Sequence, residues 1–325
     1  MLVNKVRWLR SNATLVTVTI CYSVISFFII SHTDLSEISL DRSRIIARFW
    51  DSVFSGNQPY SLPADNGNYP GPLPFYFVLM LPVYLLRAYW LPAYISGLIM
   101  FWLYYKHTGG MSRQSMALFF MSPFLYYEIL TGSNILFNSV LMLLWFIWIK
   151  DKTPDGAKEL WITAVVTGLL LCVRQVFAIV IVIYVMRLLR DVRFSRILEW
   201  AAIVICVWCI CFLPIIAVYG IDSFISYNPF NVQNDIIFPF KYSVIFIGIA
   251  AIWGLFVNTE ETMALSMGVS LMLIPTAILI YHLVIGQNIF ETNADITYML
   301  FGTSFLFYVI HNNSISNKWS KGKKL

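Results

Sequence analysis

The sequence predicts an all-α, polytopic integral membrane protein of about ten transmembrane helices, with an interfacial helix and a re-entrant segment in its first outer loop. Three observations predict it. Apolar residues make up 59% of the chain and charged residues only 12%, with a mean hydropathy of +0.72; a water-soluble globule carries about twice that charge fraction. The apolar residues come in long runs, which a bilayer accepts and water does not. Lys and Arg sit in short clusters between the runs, as in cytoplasmic loops. The net charge of +5 is therefore no nucleic-acid footprint, and no nucleic acid is expected as a partner.

The first run, 13–31, follows Lys5, Arg7 and Arg10. It is long enough to span and lacks a small-residue cleavage site, so it is read as a retained first helix rather than a signal peptide. After a polar stretch, 32–71, come runs at 72–86, 90–105, 114–130, 133–149, 160–173, 175–189, 200–219, 238–257, 263–285 and 294–310. No soluble domain fits between them. Residues 1–325 are read as a single transmembrane domain, with 32–90 as its first extracytoplasmic loop region.

Positive charge sets the orientation. The clusters at 5–10, at Lys106 and Arg113, at Lys150, Lys152 and Lys158, at 187–196 and at 318–324 put both termini in the cytoplasm. The paired runs 114–130 with 133–149, and 160–173 with 175–189, then form tight hairpins. Their outer tips are Thr131-Gly132-Ser133-Asn134 and Arg174-Gln175. The loop 220–237, without Lys or Arg, also faces outward. The turn 258–262, with Glu260 and Glu261, is cytoplasmic without positive charge, an exception to the rule. Between the first outer loop and Lys106 lie two apolar runs, so either the positive-inside rule fails at Lys106 or one of the runs does not cross. The run 72–86 opens PGPLPFYF and contains Pro82, with Arg87 close behind. It is read as partly inserted or re-entrant.

The polar island 41–74 holds three Arg and three Asp and ends in a Pro-rich stretch. On a helix over 39–55, capped by Ser39 or Asp41, Ile45, Ile46, Phe49, Trp50, Val53 and Phe54 share one side. Asp41, Arg44, Arg48 and Asp51 share the other, and Arg42 is the exception that points toward the apolar face. Such a helix lies in the interface plane. Its charges either serve a site or simply neutralise one another at i+3 and i+4. Of the five Cys, Cys206, Cys209 and Cys211 lie inside one apolar run and Cys172 in another. They read as thiols packed between helices, with too few His nearby for a metal site.

The order of features through residues 10–190 resembles the GT-C superfamily of polytopic glycosyltransferases, especially its polyprenyl-phosphate-sugar-dependent, mannosyltransferase-like branch. A cationic end, one helix and an outer Asp are followed by Gly56-Asn57-Gln58-Pro59-Tyr60, then Tyr69-Pro70-Gly71-Pro72-Leu73. Ser122-Pro123 precedes the Gly132-Ser133-Asn134 tip, and Gly168 leads to the basic residue Arg174. The chain departs from the family pattern in having Pro-Gly-Pro where Pro-Pro is commoner, and Arg174 where a Lys often lies.

The resemblance implies transfer of a sugar, with inversion, from a polyprenyl-phosphate-linked donor to a glycan, lipid or protein acceptor on the outer side of the membrane. Its family base is an Asp in the first outer loop, and Asp41 is the matching position. Asp51 is the second choice and Asp34 the third. The leaving phosphate needs cations. Arg174 is the first candidate, because a charge between two apolar runs asks for a partner, although snorkelling to the interface accounts for it equally well. Arg44 either helps or only pairs with Asp41. Gln175 and Lys241 are weaker phosphate or substrate ligands. Tyr60 and Tyr69 either stack on sugar or sit in the aromatic belt. Asn228, Asn231, Gln233, Asn234 and Asp235 either bind acceptor or form a solvated loop. No cofactor is certain; acidic residues could hold a divalent cation, but no oxygen-ligand loop of defined spacing is present. A plasma or inner membrane is expected rather than the endoplasmic reticulum. Two other classes remain open: a polysaccharide polymerase or ligase using lipid diphosphate carriers, and a non-enzymatic transporter, flippase or assembly subunit. Against a transporter, the sequence shows no repeated halves.

Overall fold

The computed structural model describes residues 12–32, 41–64, 67–108, 122–230, 240–286 and 296–310. Among them every regular element is helical. In order these are α1 (Asn12–His32), α2 (Asp41–Phe54), α3 (Pro74–Leu85), α4 (Leu91–Thr108), α5 (Pro123–Leu130), α6 (Ile135–Ile149), α7 (Ala157–Leu171), α8 (Phe177–Asp191), α9 (Phe194–Tyr219), α10 (Ile221–Ser226), α11 (Phe240–Phe256) and α12 (Glu260–Val284). A 3-10 stretch, Ile296–Gly302, runs on into a last helix, α13 (303–310). Each apolar run of the sequence thus contains a helix within its described residues, with a few residues at the run ends in turns. The short α10 falls inside the expected outer loop 220–237, after Gly220 ends α9 at φ +82°.

Local chemistry explains several boundaries. Pro74 and Pro123 stand in the first turns of α3 and α5, where a missing N–H costs nothing. Thr259 and Thr262 form a reciprocal cap at the start of α12, satisfying orphan donors there. In α2, Ile45, Ile46 and Phe49 are buried and Trp50 and Val53 half-buried, as the apolar stripe requires, while Arg48 and Asp51 are exposed. Phe49 stacks on Phe77 of α3 at 3.6 Å between ring centroids, and the Trp50 indole donates to the Phe77 carbonyl. Phe54, expected on the apolar side, is 65% exposed at the helix end.

Two helices, α9 with 26 residues and α12 with 25, are long and apolar enough to cross a membrane; α5 and α6, bent by 112° at their junction, count as a third if taken as one broken span. The about ten crossings expected from the sequence are not established. The other apolar helices have described stretches shorter than the about 20 residues a straight crossing needs. Outward faces are greasy. Phe194, Leu198, Ile205, Ile210, Leu213 and Val218 of α9 are all more than half exposed, as are Val244, Ile252 and Phe256 of α11. A belt of this extent fits a chain embedded in lipid.

The helices define two ends. α6, of 15 residues and about 22 Å, starts at the Thr131-to-Asn134 turn and finishes at Lys150. There Lys150 pairs with Glu260, and its ammonium lies 3.4 Å from Asp151. Arg187 donates to the Lys150 carbonyl, and Arg190 to the Val257 carbonyl and Asn258. This basic end is joined through α6 and α8 to the opposite end, where α2, the Pro-rich segment and the Arg174 turn meet. Close helix contacts tie the bundle together. α7 crosses α9 at Gly168, where an added Cβ would lie 2.8 Å from the Val204 carbonyl oxygen. Gly268 of α12 and Gly302 leave no room between them for any side chain, the small-residue contact favoured between membrane helices.

Candidate functional site

The site is built on the turn between α5 and α6. Gly132 holds φ +58°, and its missing Cβ would lie 3.3 Å from the Cβ of Ser43; a side chain would meet both backbone strain and α2. Glu128, wholly buried, fixes this turn. Its carboxylate accepts from the Leu136 N–H at 3.0 Å, and its carbonyl from the Ser133 N–H at 3.0 Å. A carboxylate on the first N–H groups of α6 satisfies orphan donors and complements the helix dipole.

Two guanidiniums converge on the next two residues. Arg42 of α2, 5% exposed, donates from Nη1 to Ser133 Oγ at 2.6 Å and from Nη2 to Thr297 Oγ1 at 2.8 Å. Arg174, in the turn between α7 and α8 and 6% exposed, donates from Nη2 to Asn134 Oδ1 at 3.3 Å. The amide of Asn134 in turn donates to the hydroxyl of buried Tyr76, which lies within electrostatic reach of both Arg174 and Arg42. The 3-10 segment supplies ring faces to the pair: Tyr298 lies 5.2 Å from the Arg42 guanidinium, and Phe301 lies 5.9 Å from that of Arg174. These distances suit cation–π attraction.

The Arg174 turn is held by the Pro-rich segment. Leu73 N donates to the Val173 carbonyl and Phe75 N to the Cys172 carbonyl, each at 3.1 Å. Pro72 and Pro74 have no N–H to offer, so only the alternate residues of this stretch can make such a strap. At its far end, α3 leads to Tyr89, whose Cβ is 3.5 Å from the Cβ position of Gly132. The stretch from Leu73 to Tyr89, with α3 inside it, therefore starts at one of the turns that carry the site and returns to the other.

Arg174 Nε and Asn138 Oδ1 are buried here without a hydrogen-bond partner among the described residues. Asn138 spends its amide nitrogen on the Asn134 carbonyl at 2.7 Å. Arg174 makes no ion pair among the described residues. Holding a buried cation without a counter-ion is unfavourable by several kcal/mol.

The sequence-derived candidates distribute unevenly. Asp41 begins α2, one residue before Arg42, and its side chain lies outside the described residues, as do Asp34 and the side chain of Lys241 at the start of α11. Asp51 is exposed and accepts from the Tyr84 hydroxyl at 2.6 Å, about 14 Å along α2 from Arg42. That hydrogen bond holds the Tyr84 phenol above its ordinary pKa. Arg44 is half-buried, about 200° round the helix from Arg42. Gln175 is half-buried beside Arg174. Tyr60 is buried against Phe49, its hydroxyl donating to the Pro72 carbonyl at 3.2 Å, so it supports the Pro-rich strap from within the core. Tyr69 is 39% exposed. Of the 228–235 set, Asn228 accepts from Phe230 N and the other four lie outside the described residues. Among the described residues no three His, Cys, Asp or Glu gather in a group that could hold a metal ion.

Sequence reasoning brought Arg174 and the Asn134 tip together as outer-tip residues, but missed Arg42, Glu128, Tyr76 and Asn138. Arg42 had a signal, since it breaks the polar stripe of α2. Glu128 had one too, as the acidic residue within an apolar run, where an ionisable group reads by default as functional. No family model, no curated protein and no solved structure matches the chain.

Proposed function

We propose that this chain is a membrane glycosyltransferase of the GT-C type, transferring a sugar from a polyprenyl-phosphate donor to an acceptor hydroxyl outside the membrane. One observation carries the reading: a buried arginine, Arg174, with an orphaned donor and no ion pair among the described residues, beside a second buried arginine and a phenol. A phosphate supplies what that constellation lacks, since a guanidinium fork matches two phosphate oxygens. Asp41, adjacent in chain to Arg42, is the base. The acceptor oxygen forms a bond to the anomeric carbon as the bond from that carbon to the phosphate oxygen breaks. Asp41 takes the acceptor proton, and the leaving lipid phosphate keeps the electron pair, its growing charge stabilised by Arg174 and Arg42.

The membrane arrangement proposed with it has about ten crossings and a multi-pass chain with both termini on the basic side. α2 lies in the interface, and α3 is re-entrant. In support, α3 has 12 residues, about 18 Å against a hydrocarbon core of about 30 Å, and the chain on either side of it, at Leu73 and at Tyr89, meets the two turns of the site. With α3 not crossing, α4 carries Lys106 back to the basic side.

The test is transfer by the purified chain in proteoliposomes from a panel of polyprenyl-phosphate sugars. Asp41→Asn should lower the rate by about 10²- to 10⁴-fold, the usual contribution of a general base, while leaving expression and size-exclusion behaviour unchanged. Full transfer by that variant removes Asp41 from the mechanism. Transfer only from diphosphate-linked sugars would favour a polymerase or ligase, and substrate movement without covalent change a transporter.

A further inference from the structure

Away from the arginine pair, two thiols meet across a helix crossing. α7 and α9 run in the same direction from the basic end, and their closest approach is at Gly168, whose added Cβ would lie 2.8 Å from the Cβ of Val207. Four residues beyond Gly168 stands Cys172, and four residues beyond Val207 stands Cys211, so each is one turn further along the same facing surface. Cys172 is buried with Leu73 and Phe212, and Cys211 packs against that cluster. Cys172 Sγ donates to the Trp208 carbonyl at 3.4 Å, three residues before Cys211 in α9, and the two thiols lie within electrostatic reach of one another. Both are free thiols, the first buried and the second half-exposed.

We propose that Cys172 and Cys211 form a redox-modification site: a dithiol that a disulfide-bearing oxidant converts to an intramolecular disulfide, tying the Arg174 turn to α9. Disulfides need Cβ atoms about 3.5–4.5 Å apart, and the missing side chain at Gly168, one turn before Cys172, lets the two helix backbones approach closely here. The half-exposed Cys211 meets the oxidant first. Its thiolate attacks one sulfur of the oxidant, forming a mixed disulfide and releasing one thiol. Cys172, within reach, then displaces the second thiol. In sum two S–H bonds are lost and one S–S bond forms, and the oxidant's disulfide accepts the two electrons and two protons as two thiols.

The position gives the bond a consequence. The Cys172 carbonyl holds Phe75 N, the Val173 carbonyl holds Leu73 N, and Arg174 follows directly. Oxidation would therefore clamp the Pro-rich strap and the Arg174 turn covalently to a long helix that otherwise meets them through apolar packing and the Cys172–Trp208 hydrogen bond. Closing a loop between residues 172 and 211 also restricts the unfolded chain, so the oxidised form should melt at a higher temperature.

The experiment uses the full chain in nanodiscs with Cys21, Cys206 and Cys209 replaced by Ala, treated with 4,4′-dithiodipyridine. The expected result is release of two pyridinethiones per chain, no retained pyridyl adduct in the intact mass, and recovery of both thiols with dithiothreitol. Adding Cys172→Ala should halve the release and leave the adduct on Cys211. An adduct retained on Cys211 when Cys172 is present, or two thiols still free after treatment, overturns the proposal. Neither readout depends on sugar transfer.

Discussion

Arg174 is where structure and stability pull apart. Its Nη2 reaches Asn134, but Nε is buried without a partner among the described residues, so the folded chain carries an uncompensated cation. Replacing such a group with an apolar one of similar volume removes a desolvation penalty on the order of several kcal/mol. Arg174→Met should accordingly melt no lower than the native chain in a thermal-shift assay, while sugar transfer falls by about 10²- to 10³-fold, the scale of losing one charge-stabilising donor. A clear drop in melting temperature would instead mark Arg174 as a packing residue. Arg42 is built differently, with Ser133 and Thr297 each taking one of its terminal nitrogens and Tyr298 under its plane. At this scale the sequence disclosed an arginine in the turn between two apolar runs. The partners of Arg42 stand 91 and 255 residues away in the chain, and no local pattern carries that information.

The same contrast holds for the helices. The alternation of apolar and charged positions in α2, and the prolines opening α3 and α5, are local chemistry, so those elements are legible in the sequence. Their docking is not. Gly168 looks like any small residue in an apolar run, yet it sits where α7 and α9 nearly touch, 2.8 Å from Val204 O to the Cβ it lacks. Gly168→Ala should destabilise the bundle by about 1–3 kcal/mol, the usual cost of overpacking. Thermal unfolding in detergent measures it. The same variant should slow closure of the Cys172–Cys211 disulfide, because both effects come from spreading one crossing; an unchanged melting temperature would mean that α9 yields easily at this point. Gly132 is a second such position, where the turn's left-handed residue and its contact with Ser43 coincide.

Across the whole chain, the arrangement has a basic end and a site end joined by α6 and α8. At one end Lys150 is tied to Glu260, Arg187 to the Lys150 carbonyl, and Arg190 to Val257 and Asn258, and Arg42 and Arg174 lie at the other. If these ends face opposite sides of a bilayer, single cysteines at two exposed loop positions in a Cys-free background should label from opposite sides with a membrane-impermeant maleimide. Asn57→Cys, after α2, should label from outside and Asp155→Cys, before α7, from the cytoplasm. Labelling of both from one side would refute the arrangement.

Composition and the spacing of charge were enough to make this chain helical and greasy, because burying apolar surface and satisfying the backbone inside a helix are demands that each segment meets alone. They also marked 41–74 and the tip at Arg174 as places where polarity needs a reason. Which arginine meets which turn, why Glu128 is buried beneath them, and that two thiols come within reach one turn beyond Gly168 came only from how the helices pack. Those contacts join residues far apart in the chain, and their free energy exists only once the whole bundle has closed around them.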